Sequence, residues 1–136
     1  MKGRNTVRKI QEKVNNGEKL VMVTAYDYPS AYLAQQADVD MILVGDSLGN
    51  VILGYDTTIP VTMEDMLHHT RAVSRAVSQP MVIADMPYGS YHVSVEQAVT
   101  NAMRLIQEGG AHAVKLEGSH IAPLVKEMSL RGIPVM

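Results

Sequence analysis

Cysteine, phenylalanine and tryptophan are all absent from the 136 residues. Without cysteine there is no disulfide, no thiolate nucleophile and no cysteine-ligated zinc. Without Phe and Trp, the aliphatic side chains and ten methionines must fill the core, helped by six tyrosines. An excess of charge of one sign is missing too. Twelve Lys and Arg stand against fourteen Asp and Glu, a net charge of −2, and no basic run gives nucleic acid a footing. No apolar run approaches the roughly 20 residues that a membrane-spanning helix needs. The basic start, with Lys2, Arg4, Arg8 and Lys9, is not followed by the apolar stretch of a secretory signal. A cytoplasmic location is expected, and the lack of cysteine fits a reducing compartment. What is present is globular: 46% hydrophobic and 19% charged, without repeats or linkers, suited to a single domain over 1–136.

The pattern alternates short apolar runs with helical spacings. Helical spacing over 6–16 places Val7, Ile10 and Val14 on one face. Apolar runs follow at 20–25, 41–45, 81–85, 113–117 and 133–136. Between them, 29–37 reads as a helix with Pro29 in its first turn. Residues 46–60 read as irregular. Thr62 with Asp65 and Ser94 with Gln97 read as capping boxes opening two further helices. Ser119 or His120 could open the last helix, and Gly132 would close it. Short runs without polar alternation suit parallel strands buried on both faces. A doubly wound sheet and a (β/α)8 barrel both fit. A strand flush with the last residue, and five strands against the eight that a barrel of about 250 residues needs, favour the N-terminal half of a (β/α)8 barrel, apparently truncated.

Polar groups fall where chemistry is done in parallel α/β folds, at the C-terminal ends of the strands. Gly45-Asp46-Ser47 follows the second run, Asp85 ends the third, and Lys115-Leu116-Glu117 ends the fourth. Neighbouring strands lie about 4.8 Å apart, so Asp46, Asp85 and Glu117 are expected to converge. Carboxylates that close raise one another's pKa unless a cation intervenes, and a hard divalent ion such as Mg2+ is the economical solution. Lys115 and Glu117, two apart on one strand, are expected on one face, where the ammonium would suit an anionic carboxylate or a developing oxyanion. Ser47 has no histidine spaced as a partner, so a serine nucleophile is not supported. His68 and His69 are adjacent on a helix and face different ways, which disfavours a shared metal; solvated or locally bonded side chains are expected. His92 reads as a loop residue, and His112 lies at the stability end of the fourth strand.

These residues sit in segments that resemble the ketopantoate hydroxymethyltransferase family. The segments are Thr24-Ala25-Tyr26-Asp27-Tyr28 and Leu43-Val44-Gly45-Asp46-Ser47-Leu48-Gly49. They continue with Thr57-Thr58-Ile59-Pro60-Val61-Thr62, His68-His69-Thr70 and Ala84-Asp85-Met86-Pro87-Tyr88-Gly89-Ser90-Tyr91. Val114-Lys115-Leu116-Glu117-Gly118 and Gly132-Ile133-Pro134-Val135-Met136 complete them. The resemblance implies a barrel of the phosphoenolpyruvate/pyruvate type. It implies transfer of a hydroxymethyl group from 5,10-methylenetetrahydrofolate to 3-methyl-2-oxobutanoate, on the route to pantothenate and coenzyme A. Asp46, Asp85 and Glu117 are then the Mg2+ site, Glu117 through water. Asp46, Ser47, Asp85 and Lys115 match the ketoacid-contacting positions, with Lys115 as the catalytic stabiliser of the enolate. The resemblance also implies a homo-oligomer, a decamer, and places the general base, a glutamate, beyond Met136. The alternatives are a phosphoenolpyruvate mutase or isocitrate-lyase-like Mg-dependent lyase, and a non-catalytic fragment that binds metal or another chain.

Overall fold

The computed structural model describes residues 3–136. Four strands form one sheet in the order β1-β2-β3-β4: β1 (Met22–Thr24), β2 (Met41–Val44), β3 (Met81–Asp85) and β4 (Ala113–Lys115). Every pairing is parallel. The helices are α1 (Val7–Asn15), α2 (Tyr28–Gln36), α3 (Leu48–Val51), α4 (Met63–Ala76), α5 (Val95–Gln107) and α6 (Ala122–Leu130). Each strand is followed by a helix, and sequential strands are neighbours, which is the order of the first four β/α units of a (β/α)8 barrel. Among the described residues no helix is long and apolar enough to cross a membrane.

Period-two alternation sorts the strand side chains onto two faces. Ile42, Val44, Val82, Ala84 and Val114 belong to the larger core with the helical residues Met66, Leu67, Val73, Ala102 and Leu105. Met41, Met81, Ile83 and Ala113 form a second cluster with Leu43 and Ile10 of α1, on the concave face that a closed barrel would enclose. Asp85 and Lys115 share the alternation of Ile83 and Ala113, so they stand on this concave face at its C-terminal rim.

The helix termini follow from local chemistry. Thr62 and Asp65 exchange both bonds of the capping box expected for α4. At α5 only half of the expected box forms: Ser94 accepts from Gln97 N–H, while Gln97 Oε1 is buried without a partner. Asp27 caps α2 by accepting from Ser30 N–H, and Pro29 lies in the first turn. α6 opens at Ile121 without a side-chain cap, not at Ser119 or His120. Gly132, with φ 75°, follows its end as the spacing predicts.

Three expectations are corrected. The run at 20–25 is not buried on both faces: β1 is an edge strand, and Val21 and Met22 are 51% and 41% exposed. The fifth run forms no strand; Val135 makes one isolated parallel bridge to Val114, held by Val114 N–H to Pro134 O and Met136 N–H to Val114 O. The stretch 46–60 is not wholly irregular, because the chain turns at once after β2 into the four-residue α3, too short to show a period.

Asp40 fastens the opposite, N-terminal end of the sheet. Its Oδ1 receives Lys13 Nζ from α1 at 2.6 Å, and its Oδ2 accepts from Val21 N–H at 2.9 Å. Its carbonyl accepts from Met81 N–H and Asn5 Nδ2. Burial pushes the Asp40 carboxyl up, but the bonds from Lys13 and Val21 and the Lys13 charge outweigh it and hold the pKa below 3.8. His112 supports the same end: its Nδ1 accepts from Val82 N–H, and burial and the Arg4 charge push its pKa down. A carboxylate depressed in the folded state contributes stability above its unfolded pKa and loses it as pH falls through the folded value. Asp40→Ala should therefore destabilise the fold by about 1–3 kcal/mol, since it strands the Val21 N–H. Denaturant melts at pH 7 and below pH 3.8 check this: the gap between parent and variant should shrink in acid.

Candidate active site

Three strand ends meet around one carboxylate. Asp85, the last residue of β3, is 6% exposed. Its Oδ2 accepts from the backbone N–H of Asp46, just past β2, at 3.0 Å. Its Oδ1 receives Nζ of Lys115, the last residue of β4, at 2.8 Å. The register explains the second contact, since Asp85 and Lys115 are paired residues on adjacent parallel strands. The first needs a close approach. A Cβ added at Gly45 would lie 2.9 Å from Ser47 Oγ and 3.4 Å from Asp85 Oδ2. Glycine there leaves both groups room beside the backbone.

The electrostatics are those of a crowded acidic site with one cation. Burial pushes the Asp46 carboxyl above its ordinary 3.8, the charge of Asp85 adds to this, and Glu117 adds less; Lys115 and a hydrogen bond from Thr58 oppose it. For Lys115, burial works against the ammonium, but the bond to Asp85 and the charges of Asp85, Glu117 and Asp46 prevail and raise the pKa above 10.5. Lys115 is therefore protonated at neutral pH and cannot serve as a base.

The structure brings Asp46, Ser47, Asp85 and Lys115 together at one end of the sheet. Glu117 follows two residues beyond Lys115. β4 ends at Lys115, so Glu117 is not on the strand; it is exposed, its N–H reaches Tyr91 Oη at 3.4 Å, and its carbonyl accepts from the same hydroxyl at 3.2 Å. Its charge is felt by Asp46 and Lys115 across the rim. Among the described residues no three His, Cys, Asp or Glu side chains are grouped to hold a metal ion. The donors that suit a hard cation are the pair Asp46 and Asp85. Asp46 carries a half-buried carboxyl whose pKa is raised by partial burial and then by Asp85, an unmet demand for positive charge, and Mg2+ is commonly held by one or two carboxylates with water and substrate.

Sequence reasoning assigned no site role to three residues here. Tyr26 Oη lies 2.8 Å from Ser47 Oγ. His69 Nδ1 lies 2.7 Å from the Tyr26 carbonyl, a bond to a distant segment where a solvated or locally bonded side chain is expected. Thr58 bonds Asp46 from the loop after α3. All three lie in the family-like segments, but nothing in their spacing along the chain announces contacts across 12 to 43 residues. His92 is a loop residue as expected, its Nδ1 accepting from Gly89 N–H.

This is the architecture of half a (β/α)8 barrel with its reactive groups on the C-terminal rim of the strands. Solved structures share it: 2,3-dimethylmalate lyase, a PEP mutase/isocitrate lyase superfamily member, superimposes with a TM-score of 0.67 at 17% identity, over 95% of this chain and 50% of that one. The chain belongs to the ketopantoate hydroxymethyltransferase family, whose model matches residues 4–136. The 3-methyl-2-oxobutanoate hydroxymethyltransferase of Thermoanaerobacter sp. (strain X514) is 60% identical over 132 residues, covering 96% of this chain and 47% of the relative. That of Syntrophus aciditrophicus (strain SB) is 58% identical over 137 residues, covering 99% and 50%. The chain thus spans about half the length of the curated relatives it matches.

A carboxyl raised in the folded state makes its charged form a cost to folding. Stability linked to Asp46 is therefore gained as pH falls through its folded pKa, above 3.8, and is missing at neutral pH. Asp46→Asn, which keeps an acceptor for Thr58, should raise the melting temperature at pH 7 and narrow that gain toward pH 4. Paired thermal melts across this range check it; a lower melting temperature at pH 7 would contradict the electrostatic account.

Proposed function

We propose that these 136 residues form the ketoacid-binding half of a 3-methyl-2-oxobutanoate hydroxymethyltransferase. The observation that carries the proposal is Asp85 shared between the Asp46 N–H and the Lys115 ammonium, in a chain matched by that family over 4–136. The overall reaction takes 3-methyl-2-oxobutanoate, 5,10-methylenetetrahydrofolate and water to 2-dehydropantoate and tetrahydrofolate. The proton at C3 leaves to a base, the resulting enolate carbon forms a bond to the folate-borne one-carbon unit, and the carbon–nitrogen bonds to folate break.

Each residue has a part that its chemistry supports. Lys115, protonated, faces the substrate's anionic oxygens and stabilises charge that develops on the ketone oxygen. Asp85 holds that ammonium in place at 2.8 Å. Ser47 offers a hydroxyl to the substrate carboxylate. Asp46 and Asp85 would hold Mg2+, with Glu117 reached through water. The ion would supply Lewis-acid polarisation of the α-ketoacid. The family resemblance places the base that takes the C3 proton, a glutamate, beyond Met136 in the second half of the barrel. Subunit association is part of the reading: Tyr28, Tyr32 and Leu33 leave an apolar outer face on α2, suited to a homo-oligomer. The cytoplasm, where folate and ketoacid are supplied, is the compartment.

The test joins residues 1–136 to the second half of the Thermoanaerobacter relative. With Mg2+, methylenetetrahydrofolate and 3-methyl-2-oxobutanoate this chimera should release 2-dehydropantoate. Cleavage of a carbon–carbon bond in a 2-hydroxy diacid, without hydroxymethyl transfer, would support a lyase and overturn the proposal. Lys115→Ala should weaken ketoacid binding by about 2–5 kcal/mol, as expected for losing one desolvated charged contact. Mg2+ affinity should be equal or higher, since a competing cation has left Asp85; calorimetric titration of each ligand measures both.

A further inference from the structure

We infer that Tyr26 is a positioning residue that orients the Ser47 hydroxyl toward the ketoacid, and that His69 keeps Tyr26 in place. The inference rests on the proposed ketoacid site and adds to it a relay running from α4 to the substrate. Tyr26 follows β1, is half-buried, and has its Oη 2.8 Å from Ser47 Oγ. Ser47 Oγ and Asp85 Oδ2 flank the same point beside Gly45, so this hydroxyl stands at the edge of the carboxylate cluster. In a site so rich in negative charge, an anionic substrate needs donors. A serine hydroxyl has one proton. If Ser47 spent it on Tyr26, only lone pairs would face the substrate. With the phenol donating to Ser47 Oγ, the serine proton is left to point at the substrate carboxylate, and the acceptor role polarises it.

Tyr26 is itself held from behind. His69 Nδ1 lies 2.7 Å from the Tyr26 carbonyl. A carbonyl only accepts, so Nδ1 carries the proton. This bond ties the β1–α2 connection to α4 and gives one histidine of the His68-His69-Thr70 segment a definite task. Its partner His68 is exposed on the same helix. The chain therefore runs His69 N–H to Tyr26 carbonyl, Tyr26 O–H to Ser47 Oγ, and Ser47 O–H to substrate. Every donor in it has an acceptor, and no proton need transfer.

The test is a double-variant cycle in the chimera, read as the dissociation constant of 3-methyl-2-oxobutanoate with Mg2+ present. Tyr26→Phe keeps the ring and removes only the hydroxyl. It and Ser47→Ala should each weaken binding roughly 3- to 10-fold, the range of one net hydrogen bond. The double variant should be no weaker than Ser47→Ala alone, because Tyr26 acts only through Ser47. His69→Ala should share the Tyr26→Phe defect, and His69→Asn, whose amide N–H can replace Nδ1–H, should restore it. A merely structural tyrosine would lower the melting temperature without this non-additivity. Parent-like binding in Tyr26→Phe, or a double defect equal to the product of the single ones, overturns the inference. A chimera that binds the ketoacid but forms no 2-dehydropantoate refutes the proposed reaction, while the binding cycle still decides the role of Tyr26. A parent that binds no ketoacid refutes both.

Discussion

A single carboxylate organises the functional end of the molecule. Asp85 takes the backbone of Asp46 with one oxygen and the ammonium of Lys115 with the other, and so ties the ends of three consecutive parallel strands. Parallel register makes this possible: Ala84 pairs with Val44 and with Val114, which brings the next residue of each strand to one rim. A buried acid costs free energy unless its lone pairs are used. Here the used lone pairs also set the orientation of Lys115 and of the turn that carries Asp46 and Ser47.

The two ends of the sheet treat acids in opposite ways. At the N-terminal end Asp40 is satisfied by Lys13 and the Val21 N–H, its pKa is held down, and it supports the fold at neutral pH. At the C-terminal end Asp46 is half-buried beside another acid, its pKa is held up, and its charge opposes the fold. Strain of this kind belongs where a ligand is to be bound, because a cation or a donor supplied by the ligand relieves it. Barrels divide labour in the same sense, with stability at the bottom of the strands and chemistry at the top.

Much of this was legible in the sequence, for reasons that particular residues make plain. The apolar runs 41–45 and 81–85 marked central strands because neither face could meet water, and Thr62 with Asp65 marked a helix start through a reciprocal bond three residues long. Asp46, Asp85 and Lys115 were legible as a site because position at a strand end is itself a coordinate in a parallel sheet. The rest depended on tertiary placement. Composition does not tell an edge strand from a central one, so β1 read as buried when it is not. Glu117 read as a strand residue because the run continued past Lys115, where pairing stops. Tyr26, Thr58 and His69 were visible as matching letters, but their bonds cross loops and helices whose geometry no periodicity encodes.

The central claim is that the Asp46–Asp85–Lys115 cluster binds an α-ketoacid and promotes loss of its C3 proton. Deuterium incorporation at C3 of 3-methyl-2-oxobutanoate, followed by NMR in heavy water with Mg2+ and without folate, tests that step apart from group transfer. In the full-length chimera the account predicts steady exchange, and exchange at least about tenfold slower in Lys115→Ala, since one lost transition-state donor is typically worth that much or more. Equal exchange rates in the two proteins, with equal ketoacid affinity, would contradict it and leave Lys115 as a neutraliser of its neighbouring acids.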